Sequence, residues 1–240
     1  MEKNDQKTAD KTSDGFILRL KNFLKKYPRF FLLLYYTMGI FVGKSAKKSI
    51  AHIPEGSVII NIGAGVRKVR NDVINVDIAS FEGVDVVADV CQLPFQNNYA
   101  DAVIAECLLE HVKDPIKAVS EMHRVLKPGG LVYISTPFIV GFHSSPGDYQ
   151  RWTVPGLREL LKDFKEEELG IAVGPTNAMT YILREWLALA LSFNSSFLQQ
   201  ILSLFFLVLF APLNLLDFIL ARYESAEKIA HLFYFIGIKR

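Results

Sequence analysis

The sequence predicts an α/β fold: a doubly wound, mostly parallel sheet with hydrophobic helical extensions at both ends. Three observations carry this expectation. Five short β-branched apolar runs lie between residues 57 and 135, a well-capped helix separates the fourth from the fifth, and turn-forming residues close each run. The runs are Ser57–Ile62 (SVIINI), Val73–Ile78 (VINVDI), Val84–Ala88 (VDVVA), Ala102–Ala105 (AVIA) and Leu131–Ser135 (LVYIS). Such runs suit strands that are buried on both faces, as in a parallel sheet. The helix is Asp114–Leu126. Asp114 caps it, Pro115 sits in the first turn, Ile116, Val119, Met122, Val125 and Leu126 supply apolar positions, and Lys127, Pro128 and Gly129 stop it. Right-handed crossovers between the strands then give the doubly wound arrangement. Ligands of such sheets bind beyond the carboxyl ends of the strands, which is where chemistry is expected.

The chain of 240 residues is 50% hydrophobic and 22% charged, which excludes a disordered or fibrous protein. Its mean hydropathy of +0.22 is high for a freely soluble domain and points to contact with lipid. Two cysteines, Cys91 and Cys107, exclude a disulfide scaffold, and no cleavable signal pattern is read, so a reducing cytosol is the expected compartment. Charge is uneven. Residues 1–50 hold 11 Lys/Arg against 4 Asp/Glu, a net of +7, while the remaining 190 hold 16 against 21, a net of −5. The basic segment surrounds an uncharged run, Phe30–Gly43, of 14 residues, short of the roughly 20 that span a bilayer. Two readings stand side by side: an interfacial helix on a membrane, or a helix packed on the domain's own core.

A second uncharged stretch, Trp186–Leu216, runs for 31 residues. Asn194, Ser195, Ser196, Gln199 and Gln200 interrupt it, and a span over about 199–220 would carry Asp217 near one end. Three readings are open: a helical hairpin on or in a bilayer, a protein-packing or dimer surface, or a true span. The expected organisation is residues 1–50 as a basic, hydrophobic helical segment, 51–175 as the α/β domain and 176–240 as a hydrophobic helical extension. A membrane surface would be met through residues 16–43 and 186–221, and a homo-oligomer would form through the C-terminal helices. The expected location is cytoplasmic, on the inner face of a membrane.

The first strand runs into Asn61-Ile62-Gly63-Ala64-Gly65, where glycine lets backbone come close to a ligand. Asp77 lies twelve residues after Gly65 at the end of the second run, and Asp89 twelve residues further at the end of the third. A carboxylate at the second strand tip can accept both hydroxyls of a ribose, each bond worth roughly 1.5–3 kcal/mol. The alternative is that both aspartates merely cap turns. A dinucleotide fingerprint would need glycine where Lys68 stands and a later acid, and no phosphate loop is present. A nucleoside with an uncharged or zwitterionic tail is therefore preferred.

The segments NIGAG from Asn61, NVDI from Asn75, ADVCQLPFQNNYADAVIAECLLEHVKDP from Ala88, EMHRVLKPGGLVYISTPF from Glu121 and FHSSPGDYQRWTVPGL from Phe142 together resemble the class I S-adenosylmethionine-dependent methyltransferases of the type 11 group. The resemblance covers about residues 55–175. It implies a Rossmann-like fold and S-adenosylmethionine as cofactor, with Gly63, Ala64 and Gly65 around its methionine part. Asp77 would hold the ribose, Asp89 and Val90 the adenine and Glu106 the cofactor's other flank, with Ile78 a further cofactor contact. The Leu126–Gly130 turn would be structural. Two departures are plain: Asn61 stands where the group has an acid, and Arg67 where it has a third glycine. Only seven residues, Val66–Asp72, follow Gly65 before the next strand, so the usual helix there is shortened or missing. Asn61 is expected to orient the loop by donating to a carboxylate.

The implied reaction displaces a methyl group from a sulfonium onto a substrate atom, so the protein mainly aligns two partners and excludes water. His143 and His111 are the candidate proton acceptors. His143 lies on a loop beyond the fifth strand, and His111 follows the fourth; each has a structural reading beside the catalytic one. Asp148, Tyr149, Arg151 and Trp152 are candidate substrate contacts, with Arg151 suited to an anionic acceptor. In the other reading Thr153 caps a helix including Gly156–Phe164 while Asp148 and Arg151 pair to fix its entry. The acceptor is expected to be a small molecule, glycan or lipid-linked intermediate methylated on oxygen, with a quinone precursor as the variant within the same chemistry. The rival is a membrane-associated binding protein that keeps the fold without transfer. No nucleic-acid partner is expected, since no basic stripe with interleaved aromatics lies beside the site. The five histidines, His52, His111, His123, His143 and His231, show no metal-ligand spacing.

Overall fold

A computed structural model describes residues 39–65, 67–143 and 147–240. The expected N-terminal helix falls almost wholly outside these residues; its last part, 39–43, has no helical turn. The described chain forms two compact units, one made of Phe41–Ala172 and His231–Arg240, the other centred on Val173–Ala230.

The first unit is built on a seven-stranded sheet of β1 (Ile59–Ile62), β2 (Ile74–Asp77), β3 (Val86–Val87), β4 (Ala100–Glu106), β5 (Leu126–Pro137), β6 (Phe164–Val173) and β7 (Leu232–Lys239). The strand order is β3-β2-β1-β4-β5-β7-β6. β1 pairs in parallel with β2 and with β4, β2 with β3, and β4 with β5, whereas β7 runs antiparallel to β5. All four residues of β1 are buried, which explains why three of them are isoleucine. Leu126–Gly130, expected as a turn, belongs to β5 as an irregularity: pairing passes from Leu126 opposite Ala100 to Leu131 opposite Ala102, and Gly129 takes φ +78°. β6 and β7 depart from the sequence expectation. The helix capped by Thr153 ends at Leu160 rather than reaching Phe164, because buried Phe164 already opens β6. The C-terminal stretch expected to be helical throughout ends as β7, inserted between β5 and β6.

Helix α1 (Ala46–Ser49) precedes β1, and α2 (Pro115–Val125) links β4 to β5. The Asp114 side chain accepts from the Lys117 amide at 3.0 Å, as its place before Pro115 predicts. Its buried face is Ala118, Val119, Met122 and Val125; Ile116, expected on that face, is 73% exposed. Arg124 donates to the carbonyls of Leu93 and Phe95 while Glu121 accepts from the Leu93 amide, which fixes the loop between β3 and β4. No helix follows the glycine turn: among the described residues, 67–73 form only turns before β2.

The second unit contains α4 (Pro175–Leu191) and α5 (Ser196–Phe210), following α3 (Val154–Leu160) in the chain; α5 continues through a 3-10 stretch, Ala211–Leu216, into α6 (Asp217–Leu220). Ser192–Ser195 joins α4 to α5, with Phe193 and Asn194 at φ +48° and +62°, so the two helices form the expected hairpin. The run Ser196–Leu220, 25 residues of mean hydropathy 2.2, is long and apolar enough to cross a membrane. Phe197, Ile201, Phe205 and Leu209 are exposed on it, as are Trp186 and Leu189 on α4. Asp217, expected near the end of a span, instead has 0% exposure and accepts from the Thr176 amide at 2.7 Å and the Asn177 amide at 3.0 Å. Gly174 offers α4 no side-chain cap, so a carboxylate 40 residues away satisfies its first amides and faces the positive end of the helix. Asn214 adds a bond from Thr180 at 2.9 Å.

Replacing Asp217 by Ala should destabilise the protein by about 1–3 kcal/mol, the cost of leaving buried amides unpartnered. Chemical denaturation of the full chain in detergent, followed by circular dichroism, measures this.

Candidate functional site

The strand order reverses between β1 and β4, and the crevice beyond their carboxyl ends is where an open α/β sheet binds ligands. On one side the chain leaves β1 through Gly63 and Gly65, at φ +71° and +53°. A Cβ at Gly63 would sit 2.9 Å from Leu108 Cδ1, whereas one at Gly65 would meet nothing within 4 Å. Gly63 is thus required by packing as well as conformation, and Gly65 faces open space. The amides of Gly63 and Ala64 both donate to the Val76 carbonyl, at 2.9 and 3.2 Å, folding the turn onto the end of β2. Asp77 completes it: Oδ2 accepts from the Gly65 amide at 2.9 Å and Oδ1 from the Ala79 amide at 3.0 Å. Each oxygen keeps a lone pair for a ligand hydroxyl.

Asn61 does not orient this turn. It is buried within β1 and donates to the Asn75 side chain at 3.1 Å, directly opposite on β2. The two amides, facing each other on neighbouring strands, satisfy a buried polar atom of each. Ile78 is 63% exposed beside Asp77. Asp89 lies two residues beyond β3 as a turn residue accepting from the Cys91 amide at 2.8 Å, and Val90 is buried behind it. Glu106 ends β4, where burial raises its pKa and the Arg67 guanidinium, 3.4 Å away, opposes the rise. Arg67 therefore takes up, as a charge partner, the place where a third glycine was expected. An open glycine turn, an acidic strand tip with spare lone pairs and an exposed apolar residue next to it fit the expected nucleoside cofactor.

A second cluster gathers around the turn after β4. Leu109–His111 form one 3-10 turn, and the segment after β5 returns over it. The Tyr149 amide donates to the Glu110 carbonyl at 2.8 Å, and the His111 ring is hydrogen-bonded through Nδ1 to the Gly147 carbonyl. The rings of His111 and His143 meet edge to face, 5.2 Å between centroids. The structure thus brings the two candidate proton acceptors together. Burial, with the neighbouring His143, lowers the His111 pKa.

Asp148 and Arg151 pair, as the structural reading of this segment expected. Asp148 also accepts from the His143 amide at 2.8 Å; Arg151 donates to Asp148 Oδ2 at 2.8 Å and to the carbonyls of Val140 and Gly141. The Arg151 guanidinium holds the Asp148 carboxyl down at about 2. Trp152 is buried, while Tyr149 is half exposed under the Lys113 ammonium. Of the four expected substrate contacts, Tyr149 alone presents its side chain freely to solvent. Glu110, which sequence reasoning passed over, has 0% exposure, and burial pushes its carboxyl up to about 7. Its only sequence signal was its place next to His111.

The comparisons with known proteins follow this geometry. A family model described as a methyltransferase domain matches residues 62–134, from the end of β1 into β5. The match takes in the glycine turn, the Asp77 strand tip and all of β4. Demethylmenaquinone methyltransferases of Staphylococcus epidermidis and Staphylococcus aureus are 37% and 38% identical to the chain over 93 residues, 37% of this chain and 39% of theirs. The chain therefore spans about two-fifths of the length of the curated relatives it matches. Among solved structures, phosphoethanolamine N-methyltransferase 2 of Haemonchus contortus, in complex with S-adenosyl-L-methionine, aligns with a TM-score of 0.51 at 18% identity, covering 91% of this chain and 59% of that one. MccD protein aligns with a TM-score of 0.50 at 16% identity, covering 81% and 98%. At these identities the likeness is one of fold: the sheet is of the Rossmann-like, class I methyltransferase type.

Arg151→Ala should lower the melting temperature, since removing one partner of a buried pair costs about 3–5 kcal/mol. Asp148 ionises at about 2 when folded against 3.8 in its free form, so the pair contributes stability above pH 3.8 that disappears as pH falls through about 2. Urea denaturation of both proteins from pH 5 to pH 2 should show their stabilities converging at the acid end.

Proposed function

We propose that the chain is an S-adenosylmethionine-dependent methyltransferase acting on a hydroxyl of a lipid-linked or membrane-proximal acceptor. The observation that carries the reading is the Gly65 amide bound to Asp77 in a glycine turn that is open to solvent, at the switch point of the sheet. Gly63, Ala64 and Gly65 would hold the methionine part of the cofactor, Asp77 its ribose, Ile78, Asp89 and Val90 its adenine, and Glu106 with Arg67 the opposite flank. S-adenosylmethionine supplies a methyl group on a positively charged sulfur. The protein's part is to hold an acceptor oxygen in line with that carbon, keep water out and take the acceptor's proton. We assign the last role to His143, a reading supported by its 41% exposed side chain beside His111, which is held by the Gly147 carbonyl.

The lipid character of the acceptor is supported by the apolar surface of Ser196–Leu220, which suits a chain resting on the inner face of a membrane. A quinone precursor methylated on carbon is the second reading, favoured by the demethylmenaquinone methyltransferases among the relatives.

Calorimetry on the full chain in detergent tests the reading. Asp77→Ala removes a charged acceptor worth roughly 1.5–3 kcal/mol per bond and should weaken S-adenosylmethionine binding by at least tenfold. Asp89→Ala, at an exposed turn, should weaken it less. A folded wild-type chain that binds no S-adenosylmethionine would overturn the proposal.

A further inference from the structure

The fold gathers three metal-ligating side chains that the sequence keeps apart. Glu110 and His111 lie in the turn after β4 and His143 in the segment after β5, and one ligand atom from each lies within 4.8 Å of the other two. Glu110 has 0% exposure, and neither oxygen of its carboxylate has a hydrogen-bond partner. A carboxylate withdrawn from water with nothing opposite it is costly, and buried acidic groups are ordinarily paired or bound to a cation. Hydrogen bonding therefore does not explain why this side chain points inward.

Both histidines are oriented as ligands. The Nδ1 of His111 is bonded to the Gly147 carbonyl, and the Nδ1 of His143 lies 3.1 Å from the Gly141 carbonyl. A carbonyl only accepts, so the His111 Nδ1 carries the proton and its Nε2 is left with its lone pair. At His143 the Nδ1 has the Gly141 carbonyl at 3.1 Å and the donating Arg151 guanidinium at 3.4 Å, and Nε2 is left with its lone pair in the tautomer that donates to the nearer Gly141. Backbone carbonyls fix the tautomer of metal-bound histidines in this way. His111 Nε2 already stands 3.9 Å from Glu110 Oε1. The nearest cation, Arg151, lies 3.4 Å from His143 on the Nδ1 edge, and its charge is matched by Asp148, with which it is paired.

We propose that the Glu110 carboxylate and the Nε2 atoms of His111 and His143 bind a divalent transition-metal ion of the zinc class. Two imidazoles and one carboxylate suit such an ion, whereas magnesium and calcium favour sites built wholly of oxygen. Zinc bonds of about 2.0–2.2 Å require the donors to close by roughly an ångström. His143, with 41% of its side chain exposed, can supply that movement and leaves a fourth position toward solvent. The site does not depend on the methyl-transfer reading. Only its role rests on that reading: with the ion bound, His143 is a ligand and no longer the proton acceptor, and an acceptor hydroxyl at the fourth position would ionise more readily next to the ion, its proton passing to solvent.

The test is zinc binding to the full chain in detergent after stripping with a chelator, by competition with a chromophoric zinc indicator. One ion per chain is expected, with magnesium failing to compete. Cobalt substitution should give the visible absorption of a tetrahedral site. His143→Ala, on a partly exposed segment, and Glu110→Gln should each weaken binding at least tenfold, while His52→Ala leaves it unchanged. Circular dichroism confirms that the variants are folded, and His143→Ala decides the matter if Glu110→Gln is not. S-adenosylmethionine binding, measured on the same samples, separates failure of the metal site from failure of the cofactor reading. A folded chain that takes up no zinc, or whose affinity is the same in His143→Ala as in the wild type, would overturn the proposal.

Discussion

The Asp77 carboxylate bridges two pieces of backbone, the turn leaving β1 and the loop leaving β2, and so extends the hold that the Val76 carbonyl already has on that turn. In related sheets a helix after the glycine turn would present its amides to the ligand and anchor the turn. Here the described residues after Gly65 form only turns, so the anchoring passes to a side chain. The positive φ values of Gly63 and Gly65, the Val76 carbonyl that receives two amides, and the Arg67–Glu106 pair complete that arrangement. A carboxylate that accepts from two backbone amides is also preorganised for a ligand, because its oxygens do not have to be reoriented on binding.

The strands β1, β2, β4 and β5 were legible because each buries a short β-branched run, and α2 because its cap and its stop are local signals; β3, only Val86–Val87 with Val87 57% exposed, was legible from its valines alone. The glycine turn and Asp77 were legible for the same reason: backbone geometry and strand-end acidity are written within a few neighbouring residues. β6 was hidden by its own composition. Its sequence FKEEELGIAV carries three glutamates in its exposed half, so no apolar run announces it. β7 was hidden by its neighbours, since LFYFIGIK follows a long uncharged stretch and shares its hydrophobicity. What makes it a strand is pairing with β5, a contact across roughly a hundred residues that no local pattern records.

The site residues divide along the same line. Asn61 was read against a family pattern that places an acid there, but its partner is Asn75, fourteen positions away and directly opposite in the sheet. Arg151 was open to two readings, and its bonds to Asp148 and to the carbonyls of Val140 and Gly141 make it a staple for the segment that carries His143. Among the described residues Glu110 and Asp217 are the two acids with 0% exposure, and the partners of neither were legible. The partner of Asp217 is the start of a helix forty residues away, and the surroundings of Glu110 exist only once the segment after β5 closes over it. Long-range closure of this kind decides which polar residues are structural and which are available for chemistry.

The position of β7 has a consequence for dissecting the molecule. The helical unit lies between two strands that are neighbours in the sheet, so it is an insertion rather than a tail. Cutting the chain anywhere after Val173 would pull an inner strand out of the sheet along with the helices. Excising 174–230 and joining β6 to β7 through a short loop would leave every strand in place. An excised protein of that kind is the natural vehicle for separating what the sheet does from what the apolar helices do.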